Sequence, residues 1–439
     1  MTSRVAIVGT GHRAQLFTAG LADRPAYEVV ALCDPSPTRM AFHNALLAEH
    51  GRPPAKTWAP EDFDTLLRTE RPDLVVVTST DATHDAYIVP ALRAGARVVT
   101  EKAMTTDVAK ARTIMAAVRE TGGDLTVAFN YRFNPVHAKV HEIIRAGAIG
   151  EVVSVHFEWL LDVRHGADYF RRWHRRREHS GGLTVHKASH HFDLVNWWLG
   201  TRPRTVYGQG RLAFYGANGK RHGYARDYVR AHGSPEARDD PFALHLADNP
   251  SLRALYLDAE ADSGYIRDQN VFGDGITIED DVALLVGYES GASMSYHLTA
   301  YSPWEGYRVM FNGSGGRLEL EVDEASWTRP AQRVESAKGS VHGDLASDTA
   351  GEARILLRRL WQPPERVDVP AFDHAGHGGG DQRMLATILD GAPDQAADRA
   401  TADDGLYALL PGLAANESFR TGGPVDLAAL FAGGKHDAG

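Results

Sequence analysis

The stretch that decides the fold is Arg4-Val5-Ala6-Ile7-Val8-Gly9-Thr10-Gly11-His12-Arg13-Ala14, with Asp34 arriving after a second apolar run. It reads as strand, tight glycine turn, helix, strand and acidic stop. Each part has a physical task in holding a dinucleotide. Gly9 permits the turn, Gly11 presents no side chain to an approaching pyrophosphate, and Ala14 is small enough for helix to pack on strand. His12 and Arg13 open the helix, whose N-terminus turns free N–H groups and partial positive charge toward phosphates. Asp34 stands 20 residues after Ala14, where a carboxylate accepts the adenine-ribose hydroxyls and repels a 2′-phosphate. The expectation is a dinucleotide-binding domain that takes NAD.

Outward from this stretch, the 439 residues exceed one ordinary core and imply two domains. A net charge of −10 argues against nucleic acid or an anionic membrane as partner. The single cysteine, Cys33, excludes an internal disulfide and suits a reducing compartment. A strand starting at Arg4 leaves no room ahead of it for a secretory signal, and no apolar run approaches the ~20 residues of a membrane span. A cytoplasmic location is expected.

Residues 1–130 alternate strand and helix. Val29–Leu32, Leu74–Val77, Arg97–Val99 and Leu125–Phe129 are short β-branched runs suited to a parallel sheet buried on both faces. Residues 131–439 change character. Val152–Leu160, Thr205–Phe214, Val282–Tyr288, Ala292–Thr299, Tyr307–Asn312 and Arg317–Val322 alternate, which predicts a largely antiparallel sheet. The fold class is therefore an α/β Rossmann domain followed by an α+β domain with an open sheet. Residues 215–275 are polar and turn-rich, an insertion between strands. Residues 325–375 lack periodicity. Helices return at Gly380–Leu389 and Asp403–Phe419.

Ligands of an open parallel sheet bind beyond the carboxyl ends of its strands. Ser79-Thr80-Asp81-Ala82-Thr83-His84 and Glu101-Lys102-Ala103 follow predicted strands there. A lysine beside a nicotinamide is placed to give a proton to, or take one from, a substrate hydroxyl, once burial lowers its pKa. Downstream, Ser180-Gly181-Gly182 precedes a helix expected to start near His186. His186, His190 and Asp193 would share one face, with Lys187 and His191 on a neighbouring one. A neutral His190 could take the hydroxyl proton as hydride leaves the same carbon. Histidine pairs also suit zinc, but no cysteine or HExxH pattern supports it, so no metal is expected.

Together these residues resemble the glucose–fructose oxidoreductase / inositol dehydrogenase (Gfo/Idh/MocA) family. The resemblance covers the glycine turn, Ser79–His84, Glu101-Lys102, Asn130-Tyr131-Arg132-Phe133, Gly150-Glu151 and the Gly-Gly…His190…Asp193 helix. It implies NAD(P), hydride exchange with a sugar or cyclitol, a homo-oligomer, Lys102 and His190 as catalytic groups, and Glu101 near the nicotinamide. Ser79, Thr80, His84 and Asn130 would join the cofactor contacts, and Tyr131 and Arg132 those of the substrate. Three departures stand out. Ala103 replaces the proline of Glu-Lys-Pro, Thr80 replaces a loop proline, and His186 replaces an aspartate four residues before the catalytic histidine.

That last change lies in a basic island. Asp162–His191 holds Arg164, Arg171, Arg172, Arg175, Arg176, Arg177 and Lys187 with six of the chain's 21 histidines, opposed locally by Asp162, Asp168 and Glu178. Arg172, Trp173, His174 and Lys187, with Tyr265 and Arg267 of the insertion, are candidate substrate contacts. An anionic sugar is one reading of the island; pairing of the arginines with acids elsewhere is the other. Three functions follow: a dehydrogenase, a redox-neutral glycosidase using NAD and an extra base such as His186 or Tyr131 on an anionic glycoside such as a sulfoquinovoside, or a non-catalytic NAD sensor.

Overall fold

The computed structural model describes residues 2–328, 352–369, 379–391 and 398–433. The first sheet comprises β1 (Ser3–Val8), β2 (Tyr27–Cys33), β3 (Lys56–Trp58), β4 (Leu74–Val77), β5 (Arg97–Thr100) and β6 (Leu125–Val127). All are parallel, in the order β3-β2-β1-β4-β5-β6. β4 is the bare run Leu-Val-Val-Val, every residue buried, as a strand covered on both faces requires. The helices are α1 (Ala14–Ala22), α2 (Pro37–Glu49), α3 (Phe63–Glu70), α4 (His84–Arg93) and α5 (Val108–Thr121). The order reverses between β1 and β4, so the glycine turn after β1 and the Ser79 loop after β4 meet at the crevice where this architecture binds ligands.

After α6 (Pro135–Arg145) the second sheet begins. Its strands are β7 (Val152–Asp162), β8 (Pro203–Arg211), β9 (Asp281–Tyr288), β10 (Ser293–Ser302), β11 (Glu305–Gly313), β12 (Gly316–Ala325), β13 (Glu352–Arg359), β14 (Glu365–Val367) and β15 (Val425–Asp426). The order is β14-β13-β12-β11-β7-β10-β9-β8-β15, antiparallel throughout except for β7 against β10. The sheet is thus mixed and mostly antiparallel. Its buried face carries Phe157, Trp159, Val286, Leu298, Phe311 and Leu320, which share one core with Phe192, Val195 and Leu409 of helices Ala188–Leu199 and Ala402–Thr421. The alternate residues form cross-strand ion pairs, among them Arg308–Glu158 at 3.4 Å and Arg358–Glu319 at 3.3 Å.

Several elements escaped the sequence reading, among them β3, β13, β14, β15, α6 and α7. β3 is short and largely exposed. β13 and β14, within the stretch read as irregular, alternate Arg and Glu with apolar residues. α7 (Val163–Arg171) lies inside the basic island, where Asp162 caps it by accepting from the Arg164 and His165 amides, both at 2.8 Å. The rest of the 325–375 stretch is partly outside the described residues. The 215–275 insertion sits between the paired strands β8 and β9 and is a string of short helical turns.

The helix Gly380–Asp390 crosses back to the first domain. Its Met384, Leu385, Ile388 and Leu389 pack with Ile7, Phe17 and Leu21. A Cβ on Gly20 would stand 2.7 Å from Leu385, so α1 and this helix approach closely only because residue 20 is glycine.

Candidate active site

The cofactor crevice is built by backbone first. Gly9 has φ +82°, and a Cβ there would lie 2.4 Å from the Ser79 amide nitrogen. Only glycine lets β1 turn against the β4 loop. A Cβ on Gly11 would meet only the Tyr256 hydroxyl, at 3.7 Å, and Ala14 is fully buried. Asp34 accepts from the Thr10 amide at 2.7 Å and from the Ser36 amide at 2.8 Å, which fixes its carboxylate beside the turn. Asn130 Oδ1 is buried with no hydrogen-bond partner, an acceptor suited to a carboxamide N–H. A glycine cradle, a helix N-terminus, a ribose acceptor and an orphaned amide acceptor fit NAD.

Two expected cofactor residues are placed otherwise. The Arg13 guanidinium does not face the phosphate seat. It donates to Glu101 at 2.6 Å and, with two nitrogens, to Asp381 at 2.8 and 3.1 Å. Asp381 also accepts from Asn130 at 2.8 Å, so the Gly380–Asp390 helix locks Glu101, Arg13 and Asn130 into one network. His84 has both ring nitrogens against backbone carbonyls, Ala103 at 2.9 Å and Ser79 at 3.1 Å. It clamps the Ser79–Thr80 loop to the Lys102 strand end and presents no free nitrogen to a cofactor.

Lys102 follows β5 inside this crevice, and the Lys102–Ala103 peptide is cis. Its Nζ lies 3.2 Å from His186 Nε2 and 3.0 Å from the His186 carbonyl. His186 Nδ1 lies 2.5 Å from Asp81 Oδ2. The aspartate absent four residues before His190 is thus matched by Asp81 from the opposite domain, linked to Lys102 through the imidazole. Asp81 stood in the quoted Ser79–His84 loop but was not singled out; the absent carboxylate upstream of His190 was the signal for it. Burial lowers Lys102 to about 8, against the opposing pull of Asp81 and Glu101. Burial also holds the His186 imidazole well toward neutral, with Lys102 and Arg172 adding to the effect. A neutral ring fits a relay in which Nδ1–H donates to Asp81 and Nε2 accepts from Lys102.

The glycines before the histidines act as expected: Gly181 and Gly182 have φ +70° and +85°. The helix is not continuous, however. Leu183–His186 forms one turn and Ala188–Leu199 the next, so His186 and His190 fall on separate segments. His190 stacks on Tyr131 at 4.2 Å between centroids. The Tyr131 hydroxyl accepts from Lys187 Nζ at 3.0 Å, and that buried ammonium lies 4.7 Å over Trp159. Burial lowers the Lys187 pKa.

Several predicted substrate contacts are occupied elsewhere. Arg132 is buried in a bidentate pair with Asp193, at 2.6 and 2.8 Å, and reaches Asp404 at 3.2 Å. Asp193, one helical turn after His190, therefore spends its carboxylate on Arg132. His191 is fully buried, bonded to the Tyr296 hydroxyl at 2.7 Å and stacked on Trp159, a core group. Arg172 pairs with Asp168 at 2.8 Å. Trp173 stacks on His174 at 3.6 Å, and both rings meet His186 edge-on. Farther along the island the guanidiniums are hydrogen-bonded to distant groups, only one of them an acid: Arg175 donates to Gln269 and the Asp274 carbonyl, and Arg177 to Glu279 and Asn416. Among the described residues, no group of three or more His, Cys, Asp or Glu is placed to hold a metal, and no helix is long and apolar enough to cross a membrane.

A dinucleotide crevice on one domain, faced by imidazoles and an aromatic wall from a second, defines a two-domain nucleotide-dependent oxidoreductase. The chain belongs to the Gfo/Idh/MocA oxidoreductase family. Residues 3–129 match its NAD-binding Rossmann fold and residues 141–427 its C-terminal alpha/beta domain. It is 34% identical over 419 residues to the putative oxidoreductase YteT of Bacillus subtilis, covering 92% of each chain. It is 29% identical over 213 residues to an inositol 2-dehydrogenase of Rubrobacter xylanophilus, covering 47% of this chain and 55% of that one. A levoglucosan dehydrogenase solved with NADH and levoglucosan shares the fold, with a TM-score of 0.63 at 14% identity over 97% of this chain and all of the other.

Proposed function

We propose that this NAD-dependent oxidoreductase oxidises a secondary hydroxyl of a sugar or cyclitol, with Lys102 as the base. The supporting observation is the Lys102–His186–Asp81 chain. Two directions around Nζ are taken by the His186 Nε2 and carbonyl. In the neutral amine both N–H bonds are spent there, and the lone pair remains for the substrate hydroxyl. Bound NAD supplies the hydride acceptor. Lys102 accepts the hydroxyl proton as the C–H hydride departs, and Asp81 balances the resulting ammonium through His186. His190, held flat by Tyr131, positions the same oxygen. The inositol and levoglucosan activities named for the relatives favour a polyhydroxylated substrate.

A second reading has its own observation, the buried Lys187–Tyr131 pair. It supplies another proton-active group beside His190. After oxidation, removal of the acidified neighbouring proton would expel an aglycone. Water then adds back, and hydride returns to the ketone with no net redox change. An anionic glycoside draws less support, since Arg172, Arg175 and Arg177 each already hold a hydrogen-bond or ion-pair partner within the chain.

A paired assay tests both. Sugars, cyclitols and their neutral and acidic glycosides are incubated with enzyme and NAD while NADH absorbance and aglycone release are followed. Stoichiometric NADH from an intact substrate supports dehydrogenation. Catalytic aglycone release without NADH supports the second reading, and neither signal across the panel refutes both. The proposal extends to a homo-oligomer through the open sheet face, where Tyr207 and Leu285 pair across β8 and β9 and stay exposed. Light scattering reads the assembly, and a monomer refutes it. A cytoplasmic location stays part of the proposal, tested by fractionation.

A further inference from the structure

The insertion was read as a source of substrate contacts, yet its segment from 249 to 267 lies on the nucleotide side of the first domain. Leu246, Leu252, Leu255 and Tyr256 form a small core that Phe42 of α2 joins. Arg39 of α2 donates to the Leu255 carbonyl at 3.0 Å. Asp262 accepts from the Ser36 hydroxyl at 2.6 Å and the Thr38 amide at 3.2 Å, at the start of α2 and next to the ribose acceptor Asp34. The Tyr256 hydroxyl accepts from the His12 amide at 2.9 Å, an N–H that the glycine turn offers to phosphate.

Arg267 completes the picture. Its guanidinium stacks 4.2 Å over the Tyr256 ring and is 2% exposed. Nε and Nη2 are buried, make no well-formed hydrogen bond and have no acid in ion-pair contact among the described residues, the Tyr265 hydroxyl being the polar neighbour. A buried cation left with open donors signals a missing anion. Nearby, Asp168 faces Arg171 and Arg172 at 3.5 and 2.8 Å, and Arg267 acts on it as well, so positive charge is in excess. Tyr256 carries this guanidinium to the glycine turn, and burial first, then the charges of Arg267 and Arg172, keep the His12 imidazole neutral.

We infer that the insertion is a strap over the cofactor, in which Arg267 neutralises the NAD pyrophosphate while Tyr256 and Asp262 latch the segment to the first domain. The oxyanion could in chemistry be a substrate's; the contact of Tyr256 with His12 selects the cofactor. The inference uses NAD as cofactor and needs no sugar.

Calorimetric titration of NAD, ADP-ribose and adenosine into nucleotide-free enzyme, without sugar, tests it. Arg267→Met should weaken NAD and ADP-ribose by about tenfold to a hundredfold, the loss of one charge-assisted contact, and leave adenosine unchanged. Arg267→Lys should recover part of the loss. Asp262→Asn, an exposed change, should speed NAD release in stopped flow. Should Arg267→Met fail to fold by thermal melt, Arg267→Lys and Asp262→Asn decide between wild-type behaviour, which overturns the inference, and faster release, which supports it. Unchanged NAD affinity in Arg267→Met, with weakened binding of glucuronate relative to glucose, would assign the guanidinium to substrate and overturn the strap. Failure to oxidise any sugar leaves these titrations readable.

Discussion

Lys102 carries the residue-scale argument. As the base it must be neutral, so oxidation kcat/KM should rise with pH toward about 8 and level off above it. Lys102→Ala should cost on the order of 10²- to 10⁴-fold in kcat, and Lys102→Arg should not restore it, because a guanidinium stays protonated. A pH-rate profile that falls through 8 would make Lys102 an acid instead. Burial pushes the Asp81 carboxyl well above its usual range while Lys102 draws it back down, and the negative charge it carries raises the Lys102 pKa in turn. Asp81→Asn should therefore move the inflection to lower pH while reducing kcat, a shift that a merely structural aspartate would not cause. At this scale the sequence named Lys102, His186 and His190 by their place after glycines and strand ends. It passed over Asp81, Asp381 and Tyr256, whose partners lie 105, 368 and 244 residues away. It also credited Arg132 to substrate, because Asp193 and Asp404 are neighbours only in the folded chain.

Among the elements, legibility followed burial. Runs buried on both faces and strict alternations announced themselves, whereas β13 hid its alternation among arginines and α7 was masked by charge. Helix Ala402–Thr421 shows what packing adds to propensity. Ordinarily alanine is favoured over glycine in a helix by up to about 1 kcal/mol. At Gly412 a Cβ would stand 2.2 Å from the Thr184 carbonyl, in the turn that carries His186. Gly412→Ala should instead destabilise by about 1–3 kcal/mol as the two helices are forced apart. Both Tm and kcat should drop, kcat because His186 moves from Lys102. A variant as stable and active as the parent would show the helices free to separate.

Across the whole molecule, buried imidazoles set the response to acid. His43, bonded to Thr18, and His137, between the Tyr131 carbonyl and the Tyr307 hydroxyl, are both lowered from 6.5 to about 4 by burial. Between those values the unfolded chain binds protons that the folded chain refuses. Stability should thus decline as pH falls from 6.5 toward 4, by on the order of 3 kcal/mol per ring at the end of the window. Urea midpoints across the window check it, and a flat profile would contradict it. The two-domain plan was legible from composition and periodicity, but the return of helix Gly380–Asp390 to the first domain was not, since nothing local marks which sheet a helix covers. That return orders events in time. The glycine turn leaves the ribosome early, and the carboxylate that locks Arg13 beside it is translated 368 residues later. The network that fixes Arg13, Glu101 and Asn130 therefore closes only once nearly the entire polypeptide is made. A chain cut short by a nonsense codon ahead of residue 380 would carry an intact fingerprint and an unlocked cofactor site.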